Sequence, residues 1–202
     1  QGVFNYILII GYGPNAVAAY TISGRLDMLM FLPIMGIATG LVTTVGMFAG
    51  AKRFDKVRSI IIYAISRAFV IVSITSALVY ILTPSIIGLF TDDDDIKDIG
   101  ISALRILCFT YPFVGIAMPC GRIMQGLGQG IPVLVITALR VLLVSAPLAY
   151  YFAIIDSRDI VWVWYSIAIS VSVSAIVGPI WVWKTINEME ESDKSFSNQS
   201  QG

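Results

Sequence analysis

Histidine is missing from this chain, and charge is scarce. With no histidine among 202 residues, no imidazole is present to relay protons or to ligate a metal. Charged side chains make up 13% of the sequence, against about 25% in an ordinary soluble domain, and the mean hydropathy is +0.84. The formal net charge is zero, which argues against the clustered basic surface that nucleic-acid binding requires. Only two cysteines occur, Cys108 and Cys120. They share one apolar segment and lie about 18 Å apart along a helix, too far for a disulfide, so they read as buried small hydrophobes. Paired carboxylates, nucleophile–base constellations and metal-ligand clusters are all lacking. No catalytic residue, resident cofactor or metal site is expected, and an enzyme is not the expected class. A secretory leader pattern is also lacking: the chain opens QGVFNYILII, without a basic n-region. These ten residues read as the end of an apolar segment already under way, so the chain is expected to be a fragment.

What is present is length without charge. A helix that crosses a bilayer needs about 20 apolar residues. Five complete candidates follow the opening stub, roughly Asp27–Ala49, Ser59–Leu82, Ile99–Met124, Ile131–Ile155 and Ile160–Lys184. The runs are too long for barrel strands and do not alternate. The expected fold is an all-α membrane protein, a polytopic helical bundle of about five complete transmembrane helices plus the end of a sixth. The expected organisation is a helical lobe over 1–184 and a disordered, polar tail over 185–202. The last span carries aromatic residues at both ends, Trp162, Trp164 and Tyr165 against Trp181 and Trp183. Their centres are about 28 Å apart on a helix, close to the thickness of the hydrocarbon core.

The few charges are placed asymmetrically. GAKRFDKVRS, residues 50–59, gathers Lys52, Arg53, Lys56 and Arg58 around one acid, Asp55. Basic residues in short loops mark the cytoplasmic side. Loop 50–59 and the C-terminal tail are therefore expected inside and loop 83–98, with its TDDDD run, outside. The implied location is the cell membrane, multi-pass. Pro33 lies inside a span, where neighbouring helices can satisfy the freed backbone groups. Gly36–Gly40 and Gly46–Gly50 are GxxxG pairs expected at helix contacts.

Ionisable residues inside a membrane are costly and so are functional candidates. Asp27 lies near the outer end of its segment, and two readings stand: interfacial anchoring, or lining an outward cavity that attracts cations. Arg67 and Arg140 fall close to mid-depth, and Arg140 is expected to face the bundle interior, as a structural clamp or as cavity lining. Asn5 is the buried polar side chain of the opening stub. Met28, Met30, Met35 and Met118 are available as an adaptable lining. The substrate-cavity candidates are thus Asn5, Asp27, Met28, Met35 and Arg140.

Two stretches carry a family resemblance. The first is GPNAVAAYTISGRLDMLMFLPIMGIATGLVTTVGMFAGAKRFDKVRS, with its Gly-Pro turn, Arg, FLP, Gly-rich span and basic close. The second is GRIMQGLGQGIPVLVITALRVLLVSAPLAYY. Both resemble the multidrug and toxic compound extrusion (MATE) transporters, and together they cover nearly all of 11–184. The resemblance implies a twelve-helix transporter of two six-helix lobes, of which this chain is the second and whose N-terminal lobe is missing. It implies alternating access and export of cationic or amphiphilic small molecules in exchange for Na⁺ or H⁺. The partners it implies are the lipid bilayer, a small-molecule substrate and the missing lobe. Some branches carry coupling acids in helices seven and ten; the tenth span here, LRILCFTYPFVGIAMPCGRIM, holds none. The coupling carboxylate is therefore expected outside residues 1–202. The alternatives are a lipid-linked precursor flippase of the same superfamily and a non-transporting membrane scaffold.

The charge asymmetry makes a prediction about topology. With Cys108 and Cys120 replaced, Lys52→Cys is expected to be shielded from a membrane-impermeant thiol reagent in intact cells, and Asp94→Cys to be labelled. The reverse pattern would overturn the orientation.

Overall fold

The computed structural model describes residues 2–91, 93–139, 145–152 and 160–199. Among these the chain forms α1 (Gly2–Tyr12), α2 (Pro14–Gly50), α3 (Phe54–Gly88), α4 (Asp94–Gly126), α5 (Gly130–Leu139), α6 (Ala146–Tyr150) and α7 (Val161–Gln199). Four described stretches are long and apolar enough to cross a membrane: Met30–Gly50, Phe54–Gly88, Asp94–Gly126 and Val161–Ser195. The fifth expected span, 131–155, includes residues outside those described; α5 and α6 are its described parts.

The helices start and stop where local chemistry dictates, and several are longer than their apolar runs suggest. Gly13, at φ 81, turns the chain, and Pro14 opens α2 at a position where its missing N–H costs nothing. Helix α2 therefore begins thirteen residues before the expected start at Asp27. At its other end the N–H of Arg53 donates to the carbonyl of Phe48 and that of Lys52 to Ala49. This pair of bonds closes a Schellman motif, with Lys52 at φ 57 in the place glycine usually fills. Gly128 does the same for α4, where Gln129 donates to Met124 and Gly128 to Gln125. The expected loop 50–59 is thus a tight turn over residues 51–53. The expected loop 83–98 is likewise short, since α3 ends at Gly88 and α4 begins at Asp94. The Asp93 side chain caps α4 by accepting from the N–H groups of Asp95 and Ile96, and Asp94 and Asp95 complement the positive end of the helix. The TDDDD run is a helix start as much as a loop.

Helix α4 sits at the centre and packs on α2, α3 and α7. Its buried face is correspondingly broad, from Gly100 through Leu104, Cys108 and Tyr111 to Gly115, Pro119 and Met124. The neighbours present narrower stripes: on α2, Leu26, Met30, Ile34, Ala38, Leu41, Val45 and Ala49 follow the helical period. Cys108 and Cys120 are free and buried. Small residues set the closest approaches. A Cβ on Gly126 would meet the Val42 carbonyl oxygen at 2.7 Å, and one on Gly46 would meet the Gly126 oxygen at 3.2 Å. Gly36, Gly40 and Gly50 have nothing within 4 Å, so of the two GxxxG pairs only Gly46 makes a helix contact among the described residues. Spacing marks glycines that share a face, but not which face meets a neighbour.

Beyond Lys184 the structure continues α7 as helix to Gln199, where an unstructured tail was expected from 185. The segment has two supports that composition does not reveal. Ile186 is fully buried in the core at the α2–α3 end of the bundle. Its polar side is tied to the basic turn: Arg58 Nη2 lies 2.7 Å from Glu190 and donates to Asn187 Oδ1 at 2.7 Å, and Lys52 pairs with Asp193. Arg58 also stacks on Trp183, 5.6 Å from the ring centroid, and Lys194 reaches back to Glu190 at 2.7 Å across one helical turn.

Gly126→Ala is expected to lower stability by about 1–3 kcal/mol, because the obstacle is backbone rather than a movable side chain. Gly40→Ala, with open space around it, is expected to leave the thermal midpoint of detergent-purified protein unchanged. Equal midpoints for the two variants would show that the α2–α4 approach is not tight.

Candidate functional site

Because α2 starts at Pro14, Asp27 is well inside it. Tyr20, two turns earlier, stacks on Trp164 of α7 at 5.7 Å. Trp162 and Tyr165 flank that level and are exposed, as an aromatic belt requires. Seven residues of helix then separate Asp27 from that level, about 10 Å along the axis, and Asp27 lies three residues before the apolar stretch Met30–Gly50.

The carboxylate does not stand alone. The Tyr111 hydroxyl of α4 donates to Asp27 Oδ1. Tyr111 is 2% exposed and Asp27 is half-buried. Ser23, one turn before Asp27 on the same face, is buried, and its hydroxyl has no hydrogen-bond partner among the described residues. The same holds for the indole N–H of the fully buried Trp164. Leu26 and Met30 of α2 and Leu104, Leu107 and Cys108 of α4 form the apolar wall beside the pair. On the far side of α4 the Ser76 hydroxyl donates to the Cys108 carbonyl, which fixes α3 against the same stretch. Two helices thus hold one carboxylate, one phenol and one uncommitted hydroxyl inside the lobe. Such a carboxylate can accept a proton or ligate a hard cation through oxygen. Among the described residues no cluster of three or more His, Cys, Asp or Glu could hold a metal ion, so the chemistry is that of a single acid.

The other expected candidates lie elsewhere. Met28 and Met35 are exposed, and with Leu32 they form a stripe on an open face of α2, about 100° round the helix from Asp27. Asn5, on α1, is half-buried with its Oδ1 unpartnered among the described residues; it is one turn from Leu8, which packs in the same cluster as Trp164. Arg140 lies outside the described residues. Arg67 is exposed on α3 with its guanidinium 5.2 Å from the Tyr63 ring, and Arg105 lies over Tyr80 at 5.5 Å. Tyr111 went unnoticed in the sequence reading. The available signal was a tyrosine in mid-span, whose hydroxyl needs a partner in an apolar layer.

The MatE family model matches residues 3–151. Multidrug export protein MepA of Staphylococcus aureus is 26% identical over 184 residues, covering 90% of this chain and 40% of its own length. Two solved structures of a MATE family transporter of the MOP superfamily also match. The outward-facing one aligns with a TM-score of 0.87 and 31% identity over 93% of this chain and 42% of its own. The inward-facing one aligns with 0.85 and 30% identity over 94% and 44%. The chain thus spans about 40% of the length of these proteins.

Tyr111→Phe strips the Asp27 oxygen of its donor and is expected to cost about 1–3 kcal/mol of stability. In an Asp27→Leu background the same change is expected to cost much less, since no carboxylate is left to satisfy. A double-mutant cycle on thermal midpoints reads the coupling, and additive losses would sink the assignment of the pair.

Proposed function

Because the chain belongs to the MatE family, we propose that the polypeptide carrying it exports small organic compounds, cationic or amphiphilic, by antiport with Na⁺ or H⁺. The chain supplies one lobe of an alternating-access machine in the cell membrane. The tight turn at 51–53 and the extension of α7 lie in the cytoplasm and the short connection between α3 and α4 outside. Lys52, Arg53, Lys56 and Arg58 at one end and the aspartates at the other support that orientation. A similar TM-score to outward- and inward-facing relatives supports a lobe that moves as one body. The exposed Met28–Leu32–Met35 stripe suits the side of α2 that faces substrate or the other lobe, where flexible thioethers accommodate varied shapes.

The observation that carries the coupling reading is the half-buried Asp27 bound to Tyr111 inside the lobe. Inside the apolar layer, its proton or cation occupancy changes the local charge at a point where α2 and α4 meet. Flippase chemistry finds less support, since Arg67 and Arg105 lie against aromatic rings on other faces rather than beside Asp27.

The test is gradient-driven export by the full-length protein in proteoliposomes, with H⁺ and Na⁺ gradients imposed separately. Asp27→Asn, which keeps the hydrogen-bond acceptor, is expected to retain its thermal midpoint and to lose export of a lipophilic cation on the order of tenfold, about 1.4 kcal/mol. A neutral substrate is expected to lose less. Wild-type export by Asp27→Asn under both gradients would place the coupling group elsewhere, and absence of export by the unaltered protein would favour a scaffold.

A further inference from the structure

Between α4, α5 and α7 lies a cavity of about 370 Å³ that shares no residue with the Asp27 site. Its wall runs from Val114 to Gln125 on α4 and from Val171 to Trp181 on α7, with Val133 of α5 along one side. Both helical walls are about 15–16 Å long, the depth of one leaflet of a 30 Å hydrocarbon layer. The polar atoms inside are already committed. The Thr137 hydroxyl donates to the Val133 carbonyl and the Ser174 hydroxyl to the Ser170 carbonyl, so the slot presents hydrocarbon. Gly178 lets α7 approach α4 closely at Cys120, where a Cβ would come within 3.1 Å of the Cys120 Cβ, so the two helices meet there as the floor of a groove.

Among the described lining residues only Arg122 is charged. Arg122 and Gln125 stand at the mouth, near the C-terminal end of α4, with Trp181 of α7 also lining it. Arg122 donates to Gln125 Oε1 at 3.2 Å, and among the described residues no acidic side chain lines the slot and Arg122 makes no ion pair. An apolar slot one leaflet deep, closed by an unneutralised guanidinium, matches a molecule with a hydrocarbon chain and an anionic head. Phosphate oxygens are the natural acceptors for such a fork. We propose that this slot is a binding site for an anionic phospholipid of the inner leaflet, one acyl chain along the groove bordered by α4, α5 and α7 and its phosphate on Arg122. The inner-leaflet assignment rests on the orientation proposed above. Basic pockets between helices on the cytoplasmic side are suited to anionic head groups, and one basic residue at the surface contributes about 1 kcal/mol.

The experiment is lipid retention on the purified full-length protein in detergent, counted by native mass spectrometry on the monodisperse fraction. The probes are dioleoyl phosphatidylglycerol and dioleoyl phosphatidylcholine. This measurement needs neither transport nor a sided membrane, so its failure is separate from failure of the export reading. The unaltered protein is expected to retain phosphatidylglycerol about fivefold more strongly. Arg122→Gln is expected to erase the preference and Arg122→Lys to keep most of it. Ala117→Phe, which fills the slot while leaving the mouth intact, is expected to lose the bound lipid. Millimolar inorganic phosphate is expected not to displace it. Equal retention of the two lipids, a preference that survives Arg122→Gln, retention undiminished by Ala117→Phe, or displacement by phosphate would each overturn the site.

Discussion

At Gly126 the backbone of α4 comes so close to α2 that a single methyl group would collide with the Val42 carbonyl. The rest of the lobe depends on that approach. Helix α4 is the one element that packs on α2, α3 and α7 together, and its separation from α2 sets where every later pair of side chains can meet. In a lipid layer apolar side chains gain nothing by leaving hydrocarbon for one another. Close backbone packing and buried polar contacts hold such helices together instead. The lobe uses both, with glycine at one end of the α2–α4 seam and the Asp27–Tyr111 hydrogen bond further along it.

Charge is rationed according to the same logic. The basic turn and the acidic side of the α7 extension lie beyond the aromatic residues at Trp181 and Trp183. There, ion pairs such as Lys52–Asp193 and Arg58–Glu190 form in contact with water and contribute modestly. Arg67 and Arg105 lie over aromatic rings, an arrangement that offsets part of the loss of hydration. Asp27 is the exception: its described partner is a neutral phenol. A charge held by a neutral donor keeps most of its cost of burial.

The sequence showed the spans because apolar period and length are local properties. It hid the helix ends because polar residues can be helical when something caps or pairs with them. TDDDD reads as a loop by composition, yet Asp93 is a cap and Asp94 and Asp95 are a first turn. The residues after Lys184 read as tail, yet Ile186 is core and Glu190 has two cationic neighbours. That Asp27 lies well within a helix was recoverable in principle. GYGPN holds both the turn glycine and the proline that opens α2, and counting from Pro14 puts the acid thirteen residues into the helix. Which glycines matter was not recoverable, since Gly40 and Gly46 are alike by spacing and only Gly46 has a neighbour. The Tyr111 contact joins residues 84 apart in sequence and depends on how α2 and α4 are rotated, which no local pattern encodes.

The two fixed points of the α2–α4 seam constrain what Asp27 can do. From Asp27 to Val42 is fifteen residues on α2, and from Tyr111 to Gly126 is fifteen on α4. Two parallel helices that match over about 22 Å at both ends of that interval resist sliding and relative rotation, because movement at one point breaks geometry at the other. The Ser76 bond to Cys108 and the α7 packing fasten the remaining helices to the same frame. A charge change at Asp27 therefore has little freedom to act by bending the seam. In the export reading proposed above, its influence would fall on the energy of the lobe as a body: how favourably that face sits against lipid, water or a second lobe. Only a difference in interaction between two states can shift their balance, and a rigid lobe places that difference at its boundary rather than within its core.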